Sequence, residues 1–322
     1  MVNLGLPPLD LEGSVGDFLT FILPAVDGCN LKCSFCVISQ RREISYTQLE
    51  AADFVRFLHD ISIRKTVVGV ALQGYEPLLP DTLRYTVEIL EEANRLAIPT
   101  SVVTNGIRLR AAMPALATLK PNKIGVSLDA ADARRHDRLR GLDGAWLETV
   151  AGINDGLRQL PDARQRIVVV STLMPERRSY LEGMPQMLAG LGVREWIINP
   201  LMTIGKNPWT QANKRQRLVD DLTLLSDAAA CHDIDLTIDD ELGLLTSSFT
   251  EAEIEGARRL SIRTLPAGVT LSRLVPSGQL AVGMDIARPQ SPTAPRWQPG
   301  NEHPADFLAM MARGSAEMHC IA

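Results

Sequence analysis

No stretch of this chain approaches the roughly 18 consecutive apolar residues of a transmembrane helix, so no membrane span is expected. The start, Met1 to Leu11, has neither a basic residue nor an apolar h-region, which sets aside a signal peptide and leads to the expectation of a cytoplasmic protein. An excess of positive charge is missing as well. The net charge is −5, so neither nucleic acid nor an anionic membrane is the expected partner. Cysteine is scarce, with five in 322 residues, and the count is odd. A secreted disulfide framework spreads an even number along a short chain, so these thiols point instead to metal binding or redox work in a reducing compartment. There is no internal repeat beyond strand–helix alternation and no low-complexity tract. The length suits one large α/β domain, or a core with a small extension.

What the chain does have is a concentration of three of its cysteines in one run, Cys29-x3-Cys33-x2-Cys36. Three thiolates on one short loop can hold three irons of a cubane cluster and leave the fourth iron open to a small molecule. Zinc is the main competitor, but a structural zinc takes four protein ligands. The nearest histidine in sequence is His59, and no second cysteine pair exists. Phe35, just before the third cysteine, either packs the loop or stacks on a bound adenine. Cys231, after Ala228-Ala229-Ala230, reads as a core residue at the end of an apolar helix, and Cys320 stands alone near the end. Arg41 and Arg42 read as a solvated pair or as contacts for an acidic substrate or an electron donor.

Short apolar runs alternate with helical periodicity. Strands are expected over Phe21 to Val26, Thr66 to Leu72, Thr100 to Thr104, Lys123 to Leu128, Arg166 to Thr172 and Glu195 to Asn199. Between them, Thr47 to Ile61 reads as a helix with Ala51, Phe54, Val55 and Leu58 on one face. Asp81 is expected to cap a second helix with Leu83, Val87 and Leu90 inward. A long helix carrying Leu218, Leu222 and Leu225 follows the sixth strand. Six βα units of this kind predict an α/β fold, a partial (β/α)6 TIM-like barrel, with its functional loops at the carboxyl ends of the strands. The cysteine run directly follows the first strand. After about Asp240 the pattern changes. Val269 to Val275 and Gln279 to Gly283 read as a hairpin around Pro276-Ser277-Gly278, and Ala287 to Pro304 as a long loop. The expected division is an N-terminal segment 1–18, a barrel 19–240 and a small C-terminal α+β extension 241–322.

The cysteine motif after a first strand, with its aromatic, resembles the signature of the radical S-adenosylmethionine (radical SAM) superfamily. Four further segments are similar to that family's motifs and come in the same order. Gly74-Tyr75-Glu76-Pro77 resembles its GGEP turn, with Tyr75 in the second glycine position. Thr104-Asn105-Gly106 resembles its TNG turn, and Ser127-Leu128-Asp129 its SLD segment. His136-Asp137-Arg138-Leu139-Arg140-Gly141 resembles the H-D-x-x-R-G stretch of its peptide- and sugar-modifying members. The resemblance covers roughly Phe21 to Asn199.

That resemblance implies a [4Fe–4S] cluster on Cys29, Cys33 and Cys36, and S-adenosylmethionine (SAM) chelated to the open iron. A low-potential electron then cleaves SAM to a 5′-deoxyadenosyl radical that takes hydrogen from a substrate carbon. It further implies SAM contacts from Gly74, Tyr75, Glu76 and Pro77 through backbone carbonyls, with Glu76 alternatively bracing the loop. Thr104 and Asn105 line the cavity, Ser127 and Asp129 meet the ribose or carboxylate, Arg138 or Arg140 pairs with the carboxylate, and Asn199 reaches the adenine region. The run Leu274 to Gly283 resembles the hairpin of the family's SPASM/twitch extensions but carries no cysteine, which implies a single cluster.

The preferred substrate is a sugar or nucleoside, by resemblance to natural-product enzymes of the cytosylglucuronate decarboxylase type. The alternatives are a peptide-modifying enzyme and a non-enzymatic iron–sulfur electron carrier or sensor. The implied partners are a small-molecule substrate and a low-potential donor such as flavodoxin or ferredoxin.

Overall fold

The computed structural model describes residues 9–24, 29–36, 48–175, 177–201, 209, 211–240, 250–252, 255, 260–282, 295–300 and 303–319, the side chains of the last helix as far as 312. Arg41, Arg42 and Cys320 lie outside the described residues.

The ten described strands form one sheet. In chain order they are β1 Gly16–Leu23, β2 Val67–Gly74, β3 Thr100–Thr104, β4 Lys123–Ser127, β5 Ile167–Leu173, β6 Glu195–Pro200, β7 Asp235–Asp239, β8 Ile262–Arg263, β9 Val269–Leu274 and β10 Leu280–Val282. The spatial order is β10-β9-β1-β2-β3-β4-β5-β6-β7-β8. Every neighbouring pair is parallel except β9 and β10. This is the partial TIM-like barrel expected, with its small C-terminal extension.

The connecting helices are α1 Ala51–Arg64, α2 Pro80–Arg95, α3 Leu109–Leu119, α4 Ala133–Arg140, α5 Ala145–Gln159, a short α6 Ala163–Arg166, α7 Met184–Leu191, α8 Ala212–Ala230 and α9 Pro304–His319. A 3-10 turn, Arg178–Tyr180, precedes α7. Helices α1, α2, α3, α5 and α8 cover one face of the sheet, where alternate strand residues such as Leu19, Phe21, Leu72, Val102, Val126, Trp196 and Ile198 join them in the main core. On the inner face Phe18, Ala71 and Leu271 pack against Leu9 and Leu11, so the segment before β1 plugs the bottom of the barrel.

Several local readings shift. β1 begins at Gly16 rather than Phe21, because the chain is already paired there with β2 and β9. In α2 the first helical residue is Pro80, whose fixed φ suits that place. Asp81 sits inside the first turn instead of capping it. The buried face of α2 is Thr82, Tyr85, Thr86, Ile89, Leu90 and Ala93, so Leu90 faces in while Leu83 and Val87 sit at its margins. Cys231 is exposed, not core: α8 ends at Ala230, and Leu222, Leu225 and Ala229 carry its buried face. The hairpin forms as expected, turning at Gly278 with φ +79°. Its strand β9 docks in parallel on β1, so the extension lengthens the barrel sheet rather than standing beside it. β7 and α9 carry no strong sequence signal and were not expected.

Candidate functional site

The carboxyl ends of β1 to β5 converge on the segment Cys29–Cys36. All three cysteines of the motif are half-buried free thiols. The segment is held by the end of α4: Lys32 N–H donates to the Arg140 carbonyl and Ser34 N–H to the Leu139 carbonyl, each at 3.0 Å. Gly141 closes α4 with φ +70°, and a Cβ there would lie 2.6 Å from the Lys32 carbonyl oxygen, so only glycine permits this approach.

Two side-chain donors reach the sulfurs. Asn105 Nδ2 lies 3.7 Å from Cys29 Sγ and donates to Asn30 Oδ1 at 2.7 Å. Arg140 Nη1 lies 3.7 Å from Cys33 Sγ, and its guanidinium carbon sits 5.4 Å from the centre of the Phe35 ring. Phe35 therefore stacks on an arginine.

Behind these contacts lies a frame of buried charges. Glu76 is wholly buried. It accepts Thr104 Oγ1 at 2.6 Å, Asn105 N–H at 2.7 Å and Leu78 N–H at 3.1 Å. Burial pushes its pKa up, and the three donors oppose that shift. Its own carbonyl accepts Thr82 Oγ1, and that of Pro77 accepts Thr86 Oγ1, both at 2.7 Å. Through these bonds the Glu76 side chain ties the turns after β2 and β3 together. Gly74 opens this turn at φ +118°, with Ile22 so close that a Cβ would meet it at 2.7 Å.

Asp129 pairs with Arg140 at 2.6 Å and accepts Thr172 N–H at 2.8 Å. Burial opposes the Arg140 charge, but Asp129 and Cys33 outweigh it and its pKa is raised. His136 accepts the Asp129 N–H on Nδ1 at 3.2 Å, which leaves the ring proton on Nε2. Burial first, then the Arg140 charge, lowers its pKa to about 4, so it is neutral at pH 7.

The structure thus brings together Cys29, Cys33, Phe35, Glu76, Thr104, Asn105 and Asp129. Gly74, Tyr75, Pro77 and Ser127 lie on the turns and strand ends around them. Asn199 faces the inner side at the end of β6, in register with Thr172, and its buried Oδ1 has no partner among the described residues. Arg138 stands apart. It is exposed and lines an outer cleft with Asp132, Arg134, Arg135 and Tyr180. Two residues along a helix turn the side chain by about 200°, so Arg140 faces the cysteines and Arg138 faces away. Sequence reasoning did not weigh Asn30 or Thr149, whose hydroxyl donates to the Asn105 carbonyl at 2.9 Å. Neither position had a motif to mark it.

The donor set fits a cluster. Burial raises the Cys29 pKa to about 11 and pushes Cys33 up as well, so bare thiolates are disfavoured and bound iron would supply the missing positive charge. Among the described residues no three His, Cys, Asp or Glu side chains converge on one ion. Cluster cysteines bind separate irons, so that convergence is not required of them.

A barrel whose cysteine loop is braced by the turns after β2, β3 and β4 defines a class. The Radical SAM superfamily model matches residues 23–182, from the end of β1 through the 3-10 turn, and the chain belongs to that superfamily of enzymes. The AdoMet-dependent heme synthase of Methanosarcina barkeri is 31% identical over 129 residues, 39% of this chain and 35% of that protein. The sporulation killing factor maturation protein SkfB of Bacillus subtilis is 23% identical over 202 residues, 62% of this chain and 47% of that protein. Streptococcus suis SuiB, in a crystal structure bound to S-adenosylmethionine, shares the fold at a TM-score of 0.63 and 12% identity, over 91% of this chain and 63% of that one. The chain therefore spans less than two thirds of the length of these relatives. No helix among the described residues is long and apolar enough to cross a membrane.

Proposed function

We propose that this chain is the catalytic core of a radical SAM enzyme that modifies a peptide. The observation that carries the radical reading is the pair of buried side-chain donors, Asn105 and Arg140, aimed at the sulfurs of Cys29 and Cys33, whose pKa values burial raises. Cys29, Cys33 and Cys36 would hold three irons of a [4Fe–4S] cluster. When bound, that cluster supplies the electron that cleaves SAM to a 5′-deoxyadenosyl radical. A low-potential donor such as flavodoxin or ferredoxin replenishes it.

The protein's own work is orientation and exclusion of water. Glu76 fixes the turns after β2 and β3 against each other, and Arg140 and Asp129 do the same for the turn after β4. Gly74, Tyr75, Pro77, Ser127, Phe35 and Asn199 are the proposed SAM contacts at the mouth, with Thr104, Asn105 and Asp129 lining the cavity beside them. Beyond the motif only Cys231 and Cys320 remain of the five cysteines, too few within this sequence for a second, fully ligated cluster.

Support for a peptide substrate comes from the alignment with SkfB. It covers 62% of this chain, and SkfB is named for the maturation of the sporulation killing factor. A second reading, a sugar or nucleoside, draws on the inner face. Thr20 Oγ1, Gln73 Nε2, Ser101 Oγ and Asn199 Oδ1 are buried without partners among the described residues and suit a hydroxyl-rich ligand.

The test is anaerobic reconstitution followed by SAM and dithionite. Release of 5′-deoxyadenosine is the expected result, and a cluster that reduces yet leaves SAM intact marks an electron carrier instead. Stimulation of that release by peptides but not by nucleosides or sugar acids separates the two substrate readings.

A further inference from the structure

The cleft on the outer side of α4 has a volume of about 490 Å³ and is lined by Asp132, Arg134, Arg135, Arg138 and Tyr180. Tyr180 lies between two guanidinium groups, Arg135 at 5.1 Å and Arg177 at 5.8 Å from its ring centre. Arg135 is tethered by the Ser179 carbonyl at 2.8 Å and pairs with Asp132 at 3.4 Å. Arg134 and Arg138 are exposed and have no ion-pair partner among the described residues. The neighbouring acids Glu182 and Asp221 are engaged by a different cation, Arg178, at 2.7 and 2.9 Å. Among the described residues, three arginines of the cleft and Arg177 on the far side of Tyr180 therefore stand against Asp132, on a chain whose net charge is −5. Such a local reversal of sign attracts an acidic surface and repels the rest of an acidic protein.

Position gives the patch its meaning. It lies at the carboxyl end of the sheet, between the elements that follow β4 and β5. Six residues of α4 separate Arg134 from Arg140, a rise of about 9 Å. Arg140 is the residue whose guanidinium lies 3.7 Å from Cys33 Sγ. The same helix that presents the basic cleft to solvent thus grips the cysteine segment at its other end.

We propose that this cleft docks an acidic one-electron carrier protein, and that reduction of the cluster takes place through the α4 face. The inference rests on the radical SAM reading above. In the step itself the carrier loses one electron and the cluster gains it, and no bond forms or breaks.

The experiment uses the reconstituted chain, with reduced flavodoxin as the donor probe. Arg134→Glu with Arg177→Glu reverses two exposed charges that touch none of the cysteine-segment residues. Flavodoxin-driven release of 5′-deoxyadenosine is expected to fall by about tenfold or more, while dithionite-driven release stays within about twofold of wild type, because a small reductant needs no docking surface. Raising salt from about 0.05 to 0.5 M should slow the wild type with flavodoxin and leave the double variant nearly unchanged. Binding of oxidised flavodoxin, followed by calorimetry, should weaken in parallel. An unchanged ratio of flavodoxin- to dithionite-driven rates overturns the proposal, as does a cleft that binds inorganic phosphate while flavodoxin affinity stays the same in wild type and variant. Absence of 5′-deoxyadenosine with dithionite would sink the radical reading instead, and the calorimetric comparison still decides whether the cleft binds the carrier.

Discussion

The turns that end β2, β3 and β4 and the inward residues of the barrel strands carry similar polar side chains and treat them differently. In the turns, Glu76, Thr104 and Asn105 bond one another or nearby backbone groups, and Asp129 pairs with Arg140 and accepts Thr172 N–H. Inside the barrel, Thr20, Ala71 and Ser101 form one cross-strand row, yet the Thr20 and Ser101 hydroxyls find no partner among the described residues. Gln73 and Asn199, nearer the mouth, repeat this on one atom each. A rim whose charges are mostly paired, with only Arg140 Nε and Asp129 Oδ2 short of a hydrogen bond, is largely set before any ligand arrives, whereas the lumen leaves its hydroxyls and amides for water or a substrate to complete. The family match, over residues 23–182, covers the whole rim of turns. The lumen is where relatives with different named products have room to differ.

Breaking the rim should cost most. Cys33→Ala removes one thiolate from the motif. It is expected to lower bound iron and sulfide to near background and 5′-deoxyadenosine release by roughly 100-fold or more, read by metal analysis and chromatography. Next comes Arg140→Met, which leaves Asp129 buried without its cation. A loss of about 3–5 kcal/mol in urea unfolding is expected, against less than about 0.5 kcal/mol for the exposed Arg138→Ala.

The third test uses pH. An unfolded histidine gains its proton near 6.5, and folded His136 only near about 4. Between those values the unfolded state binds more protons, so this part of the stability is whole above pH 6.5 and is lost as pH falls towards 4. The difference is about 3 kcal/mol, visible as a falling urea midpoint that His136→Gln flattens. The smallest effect tests the lumen. Thr20→Val removes an unpartnered buried hydroxyl and should leave stability unchanged or raise it by up to about 1 kcal/mol. A clear loss there would show that the inner face is bonded like the rim, and the contrast between the two would disappear.

Much of the frame was legible along the chain. The apolar runs marked β2 to β6 because strands buried on both faces need no alternation. The cysteine spacing and the three following turns could be placed at strand ends from order alone, with the His136–Gly141 stretch just beyond the third. β7, α9 and the full extent of β1 were less legible. Asp235-Leu236-Thr237-Ile238-Asp239 is short and polar at both ends, and becomes a strand because β6 offers it an edge. Cys231 misled because an alanine run looks buried from sequence, while the exposure of a helix end depends on which face the preceding turns commit to the core.

Sequence by itself determined the donor chemistry of this protein, because three thiols within eight residues are brought close by chain connectivity and need no fold to assemble them. It determined the parallel strand–helix plan for a similar reason, since local periodicity sets which element forms. Tertiary structure alone decided that Arg140 and not Arg138 meets the cysteines, that Glu76 braces two turns, and that β9 returns to pair with β1. Each of these joins residues far apart in the chain or chooses between two faces of one helix. Only packing against the rest of the barrel makes that choice.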